Sequence, residues 1–202
     1  MEAEINRQLV HISGLVFVFL AQYIGQLIAV WFFLIAATLF LYSLYIRHEQ
    51  KHLRLLERLE SKIRDLAVSL ERQEVPMPFI GAIWFFFACG LTFLLFPIPI
   101  ASAATLALAV GDGLATLVGV RLGRHRIVGR KSLEGSAACF LGALASVIFV
   151  SPLPAVLAAA ATVIIELIPE LGGLARLKKR GLVDDNWMIP LLVGFLLYLV
   201  IS

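Results

Sequence analysis

The chain has 202 residues, 60% of them hydrophobic, with a mean hydropathy of +0.93. A soluble domain sits near half apolar, so these values exclude an ordinary globular protein and point to an all-α chain that crosses a membrane several times. The net charge is only +3, yet all 17 lysines and arginines fall in four stretches: Arg7, residues 47–72, residues 121–131 and residues 176–180.

The first apolar stretch, residues 9–46, is too long for one crossing. At about 1.5 Å per residue it would cover nearly twice the roughly 30 Å hydrocarbon core. It divides at Tyr23–Gln26 into two helices. No small-residue cleavage site precedes it, so it reads as a membrane anchor rather than a signal peptide. Residues 47–73 are the clearly water-exposed element. Leu56, Leu59, Ile63, Leu66 and Leu70 recur at helical steps among charges, which predicts an amphipathic helix on the headgroups or on the protein itself. A dimerising coiled coil, and so a homodimer, is the sharper alternative, although the repeat is short. Residues 79–120 divide at Phe96–Pro99, residues 133–168 divide at Ser151–Pro154, and residues 187–201 form a last span.

Seven crossings place every basic stretch on one side and all three uncharged breaks on the other. The positive-inside rule makes the basic side cytoplasmic, with the N-terminus inside and the C-terminus outside. The expected organisation is a helical pair (1–46), a cytoplasmic amphipathic helix (47–76) and a catalytic transmembrane bundle (77–202). Nucleic acid is not an expected partner, because the basic loops have no soluble domain to hold them. Cys89 and Cys139 lie within apolar segments and read as small buried hydrophobes.

Several polar residues do not belong in a bilayer. Asp112 lies inside the fourth predicted helix, where a carboxylate costs several kcal/mol unless it is paired, hydrated or bound to a cation. Thr105, Ala109, Thr116, Gly119 and Gly123 share its face at helical spacing, and Gly111 and Gly113 flank it. This face has room for a ligand or a close neighbouring helix. The following loop carries five basic residues and ends at a helix start at Ser132. Cations, glycines and the free N–H groups of a helix N-terminus suit a polyphosphate, with Ser132 as the N-cap. An ordinary positive-inside loop would explain the arginines alone, but not Lys131-Ser132-Leu133-Glu134-Gly135 leading into a helix. Glu166 sits near the cytoplasmic end of the sixth helix with Glu170 one turn on, and Asp185-Asn186 open the seventh. Asp185 or Asn186 as a helix cap and Glu170 as a solvated side chain are the plainer readings. Arg7 and His11 stand one turn apart in the first helix, with a structural and a substrate role equally open. The topology gathers all these positions at the cytoplasmic edge. Carboxylates beside a basic helix start suit a Mg²⁺–nucleotide, and the surrounding bundle suits a lipid.

Three segments in order carry a family resemblance. The run Gly111-Asp112-Gly113 to Gly119 resembles an Asp-Ala-x-Ala-x-x-x-Gly helix. Residues Lys131 to Gly135 match a Lys-Ser-x-Glu-Gly turn. Residues Asp185, Asn186 and Pro190 match an Asp-Asn-x-x-x-Pro entry to a late helix. Together they resemble the CTP-dependent lipid-alcohol kinases, which include dolichol kinase, phytol kinase and the yeast-type diacylglycerol kinase. The likeness covers roughly residues 100–195. Arg7 and His11 resemble an N-terminal pattern of the family, with Gln8 where lysine is usual.

The resemblance implies a membrane kinase that moves the γ-phosphate of CTP to the primary hydroxyl of a lipid alcohol, with Mg²⁺ or another divalent cation. In that reading Asp112, with Glu134 or Asp185, holds the metal, and Glu166 orients or deprotonates the hydroxyl. Lys131 and Arg130 hold the triphosphate with Ser132. Gly111, Gly113, Thr116, Gly119, Gly135 and Asn186 complete the expected nucleotide contacts. Two rivals are a cytidylyltransferase making a CDP-lipid and a transporter. The absence of charge in the outer half argues against the second.

Overall fold

The computed structural model describes residues 2–48, 78–174, 177 and 182–202, with the side chains of the first two helices covered from residue 10 to residue 45. The amphipathic helix expected at residues 47–73 and the basic side chains of residues 176–180 lie outside the described residues.

Six apolar helical stretches make up the described fold. Three are long and apolar enough to cross a membrane: Val10–Tyr45, Ile98–Leu122 and Pro152–Glu170. Three are shorter: Ile80–Leu95, Leu133–Ile148 and Asp185–Ile201. An all-α, multi-pass membrane protein is the architecture these lengths and compositions suggest.

The first stretch is two helices, α1 (Glu2–Ile24) and α2 (Ile28–His48), joined by a 3-10 turn at Gly25–Leu27. Gly25 has a φ of +63°, a conformation that suits glycine and ends a right-handed helix. The rings of Phe17 and Phe32 lie 4.6 Å apart. In one straight helix they would be about 22 Å apart, so the chain reverses at Gly25 as the break at Tyr23–Gln26 predicts.

Helix α3 (Ile80–Leu95) packs along α2, and Phe32 stacks on Phe93 across that contact at 5.7 Å. Pro97 and Pro99 start α4 (Ile98–Leu122), where a missing N–H costs nothing. Helix α4 is the centre of the bundle: 61% of its apolar window is buried, against 28% for the first hairpin. Ala101, Ala103, Ala104, Ala107 and Leu108 are fully enclosed. Small residues let neighbouring helices approach this helix closely, as is usual where lipid provides no hydrophobic drive between helices.

Helix α4 is not regular. Residues Ala107–Asp112 are π-helical, between α-helical segments Ile98–Leu106 and Gly113–Leu122. The wider turn changes the angular step per residue, so the single face expected from Thr105 to Gly123 does not run unbroken.

After α4 the chain makes a small antiparallel hairpin, β1 (Arg126–Val128) and β2 (Lys131–Ser132), with an irregular register and Gly129 at φ +52° in the turn. This pair of strands is a minor departure from the all-α expectation. Helix α5 (Leu133–Ile148) tightens into a 3-10 segment at Leu144–Ile148. Helices α6 (Pro152–Glu170) and α7 (Asp185–Ile201) complete the bundle.

The uncharged turns share one end. Gln22 donates to the Ser102 hydroxyl at 3.1 Å, and Phe96 packs on Tyr198 at 5.9 Å. At the opposite end Tyr42 packs on Phe79 at 6.1 Å, and Gly81 faces the Asn186 amide.

Candidate active site

Four segments that are remote in sequence meet at Lys131. Its ammonium lies 2.5 Å from Glu166 Oε1 on α6, 3.8 Å from Asp112 Oδ1 on α4 and 3.8 Å from Asp185 Oδ2 on α7. The three carboxylates are buried, and Asp112 is 0% exposed. Burial alone would push the Lys131 ammonium toward deprotonation. The carboxylates of Asp112, Asp185 and Glu166 outweigh it and hold its pKa above the usual lysine range.

His11 of α1 reaches the far side of Asp112, with Nδ1 3.4 Å from Oδ2. Its ring is buried and stacks on Phe85 at 5.1 Å, which fixes its plane. The side chain of Arg7, one turn earlier, lies outside the described residues.

Local sequence explains how each carboxylate is presented. The π-helical turn ends at Asp112, and Gly111 packs there against the Cys139 carbonyl, Ala143 and Thr162. A Cβ at Gly111 would come within 3.3–3.4 Å of those atoms, so α5 and α6 both close on α4 beside the acid. Cys139 of α5 lies beside Glu166. Asp184 caps α7 by accepting from the Asn186 N–H at 2.9 Å and from Asn186 Nδ2 at 2.7 Å. Capping therefore falls to Asp184, which leaves Asp185 to turn inward to Lys131. Pro190 has no N–H to offer the Asn186 carbonyl, which breaks one hydrogen bond of the first turn of α7.

Ser132 is the N-cap of α5, as its position predicts, accepting from the Gly135 N–H at 3.2 Å. Gly119 and Gly135 face each other across α4 and α5, and a Cβ on Gly135 would sit 2.9 Å from the Ala115 carbonyl. The sequence assigned both glycines to the nucleotide. Their immediate neighbours are the opposing helix, which seats the Lys131–Ser132 corner against α4. Gly113 is buried in the same helix, and Thr116 is half-buried one turn beyond Asp112.

Glu134 does not join the carboxylates around Lys131. It turns to the loop, accepting from the Arg124 N–H at 3.1 Å and lying 2.7 Å from His125 Nδ1. Arg130 is exposed at the hairpin turn, where its carbonyl accepts from the Arg126 guanidinium. Glu170 lies against the same turn, where a Cβ on Gly129 would clash with its carboxylate.

The residues brought together are therefore Asp112, Lys131, Glu166, Asp185 and His11, with Ser132 and Asn186 alongside. Phe85, Cys139 and Ser136 were not singled out as site residues from the sequence. Ser136 is buried in the first turns of α5, and its hydroxyl has no hydrogen-bond partner among the described residues. The serine was legible only as one more small residue of an apolar helix, and nothing in the sequence tied Phe85 to His11.

The arrangement offers hard oxygen ligands, a cation and a capped helix start in one place. Asn186 Oδ1 adds a neutral oxygen that is buried and has no hydrogen-bond partner among the described residues. These are the kinds of oxygen that magnesium takes, but no three His, Cys, Asp or Glu side chains among the described residues are arranged to hold a metal ion. No family model, curated protein or solved structure matches the chain, so the site's meaning rests on its motifs and its geometry.

Proposed function

We propose that this chain is a membrane kinase that transfers the γ-phosphate of CTP to the primary hydroxyl of a lipid alcohol. The acceptor class includes polyprenols, phytol-like alcohols and diacylglycerol. The observation that carries the reading is the convergence of Asp112, Glu166 and Asp185 on Lys131 at the entrance to α5. Such a cluster sits at the boundary between water and lipid, where a soluble donor and a membrane acceptor meet.

In this reading the bundle crosses the membrane seven times, with α1 and α2 as separate spans and the charged end in the cytoplasm. Helices α3, α5 and α7 are 16–17 residues long, about 25 Å, at the lower limit for a span. Lys131, Arg130 and the N–H groups opening α5 hold the triphosphate. Asp112, Asp185 and Glu166 would hold a divalent cation, which supplies charge neutralisation on the phosphates. His11, backed by Asp112, stands where it orients or accepts a proton from an incoming hydroxyl. Catalysis is then mainly positioning and electrostatics, as in phosphoryl transfer generally.

The test is direct. The purified protein in detergent is given Mg²⁺, a mixture of polyprenol, phytol and diacylglycerol, and each nucleoside triphosphate in turn, with products read by mass spectrometry. A lipid that gains one phosphate with CTP is the expected result. A CDP-lipid formed only from phosphorylated lipids would move the site to the cytidylyltransferase class. No product from either set would remove the kinase reading for these acceptors.

A further inference from the structure

We infer that Glu134 is a positioning residue, whose carboxylate clasps the chain leaving α4 to the first turn of α5 and thereby sets where Lys131 stands. On the kinase reading, on which this inference rests, Lys131 grips the triphosphate, so Glu134 acts on the nucleotide through Lys131. It is then not the metal ligand that the family resemblance offers.

Both oxygens of Glu134 are spent on the loop. Oε2 accepts from the Arg124 N–H at 3.1 Å, and both oxygens lie 3.3 Å from the His125 backbone nitrogen. Oε1 also lies 2.7 Å from His125 Nδ1. The Leu133 N–H returns the contact, donating to the His125 carbonyl at 2.8 Å. Residues 124–125 are thus tied to residues 133–134 from both sides.

The hairpin between them needs such a tie. Strand β1 has three residues and β2 has two, and their register is irregular between Arg126 and Val128. A two-stranded hairpin is marginal in water even when it is longer. Lys131 belongs to β2, and Arg126 pairs with Ser132, so the clasp lies directly beside the last pair of the ladder. Closing it holds the strand that carries Lys131 against the start of α5, where Ser132 caps the helix.

The clasp also governs the charge of the loop. Arg124, Arg126 and Arg130 are exposed, and among the described residues no carboxylate pairs with them. Glu134 is the acid nearest to them in sequence, and a guanidinium fork readily takes a carboxylate. Two backbone N–H groups and an imidazole occupy it instead. The three guanidiniums therefore keep their charge available for phosphate.

Hydrogen–deuterium exchange on the purified full chain, without nucleotide, tests the clasp itself. Glu134→Ala should speed exchange in the segment 122–134. Glu134→Gln, whose amide oxygen still accepts an N–H, should keep most of the protection. Exchange unchanged in Glu134→Ala would overturn the clasp.

Lipid phosphorylation tests what the clasp does. Glu134→Ala should raise the KM for CTP roughly tenfold with a smaller fall in kcat, and Glu134→Gln should stay within about threefold of wild type. The Mg²⁺ concentration for half-maximal rate, at saturating CTP, should not move. A Glu134→Gln protein as impaired as Glu134→Ala, or a raised Mg²⁺ requirement in either, would return Glu134 to the metal and sink the positioning role. A chain whose loop loosens in Glu134→Ala but which phosphorylates no lipid keeps the clasp and loses the reaction. A working kinase whose Glu134→Ala loop exchanges like wild type keeps the reaction and loses the clasp.

Discussion

The same helices build two unlike ends of the bundle. At one end Gly25, Pro97 and Ser151 mark the reversals of the chain, and the polar contact there is neutral: Gln22 to Ser102, near an aromatic pair, Phe96 and Tyr198. At the other end three buried carboxylates surround Lys131, a π-helical turn interrupts α4, and Pro190 removes a hydrogen bond from α7. A membrane interior tolerates backbone irregularity and charge only where neighbouring protein or a ligand satisfies them. Their concentration at one end therefore sets that end apart as the candidate site.

The comparison breaks most easily through activity. Asp112→Asn keeps the shape of the side chain and removes its charge. The expected loss of lipid phosphorylation is about 10²–10³-fold, with normal insertion and a normal elution profile. Near-wild-type turnover would show that the charged end is structural. Glu166→Ala acts on stability instead. It removes the nearest partner of Lys131 and should cost about 3–5 kcal/mol, measured by denaturation in mixed micelles. Lys131→Met in the same chain should recover part of that loss, since the stranded charge is then gone. A double variant no more stable than Glu166→Ala would mean the pair is not coupled.

Gly142→Leu tests the packing that supports the site. A Cβ there already meets the Val110 carbonyl at 2.8 Å, at the π-helical turn. Forcing α5 away from α4 should cost about 1–3 kcal/mol and reduce activity as well. Ser132→Ala removes the cap of α5 and should cost about 1 kcal/mol, with a rise in nucleotide KM larger than any fall in kcat. The smallest effect belongs to the neutral end. Gln22→Leu should cost about 0.6 kcal/mol or less and leave turnover unchanged. A Gln22→Leu protein as inactive as Asp112→Asn would erase the distinction between the ends.

Much of this arrangement was legible beforehand, and for identifiable reasons. Chain reversal at Gly25 followed from a stretch too long for one crossing, and the Phe17–Phe32 contact agrees with it. Asp112 stood out because a carboxylate is costly inside an apolar helix, Glu166 by its place near the end of another, and Asp185 by its place at a helix start and its motif. Ser132 declared itself as a cap through its place before an apolar run. The direction of Glu134 was not legible, because a carboxylate two residues past the cap carries no mark of which way it turns. Only the folded loop shows it held by Arg124 and His125. The neighbours of Gly119 and Gly135 were not legible either: a glycine that admits a phosphate and a glycine that admits another helix look alike in one dimension.

By itself the amino-acid sequence determined that the chain is helical, apolar enough to suggest several membrane crossings, and broken where it is, because these follow from the length of apolar runs and the residues that interrupt them. The tertiary structure decided which charges meet. The π-helical turn rotates Asp112 relative to the helix before it, Asp184 takes the cap and frees Asp185, and the hairpin swings Lys131 back under α4. Each of these depends on contacts between segments far apart in the chain, and helical periodicity within one segment cannot supply them.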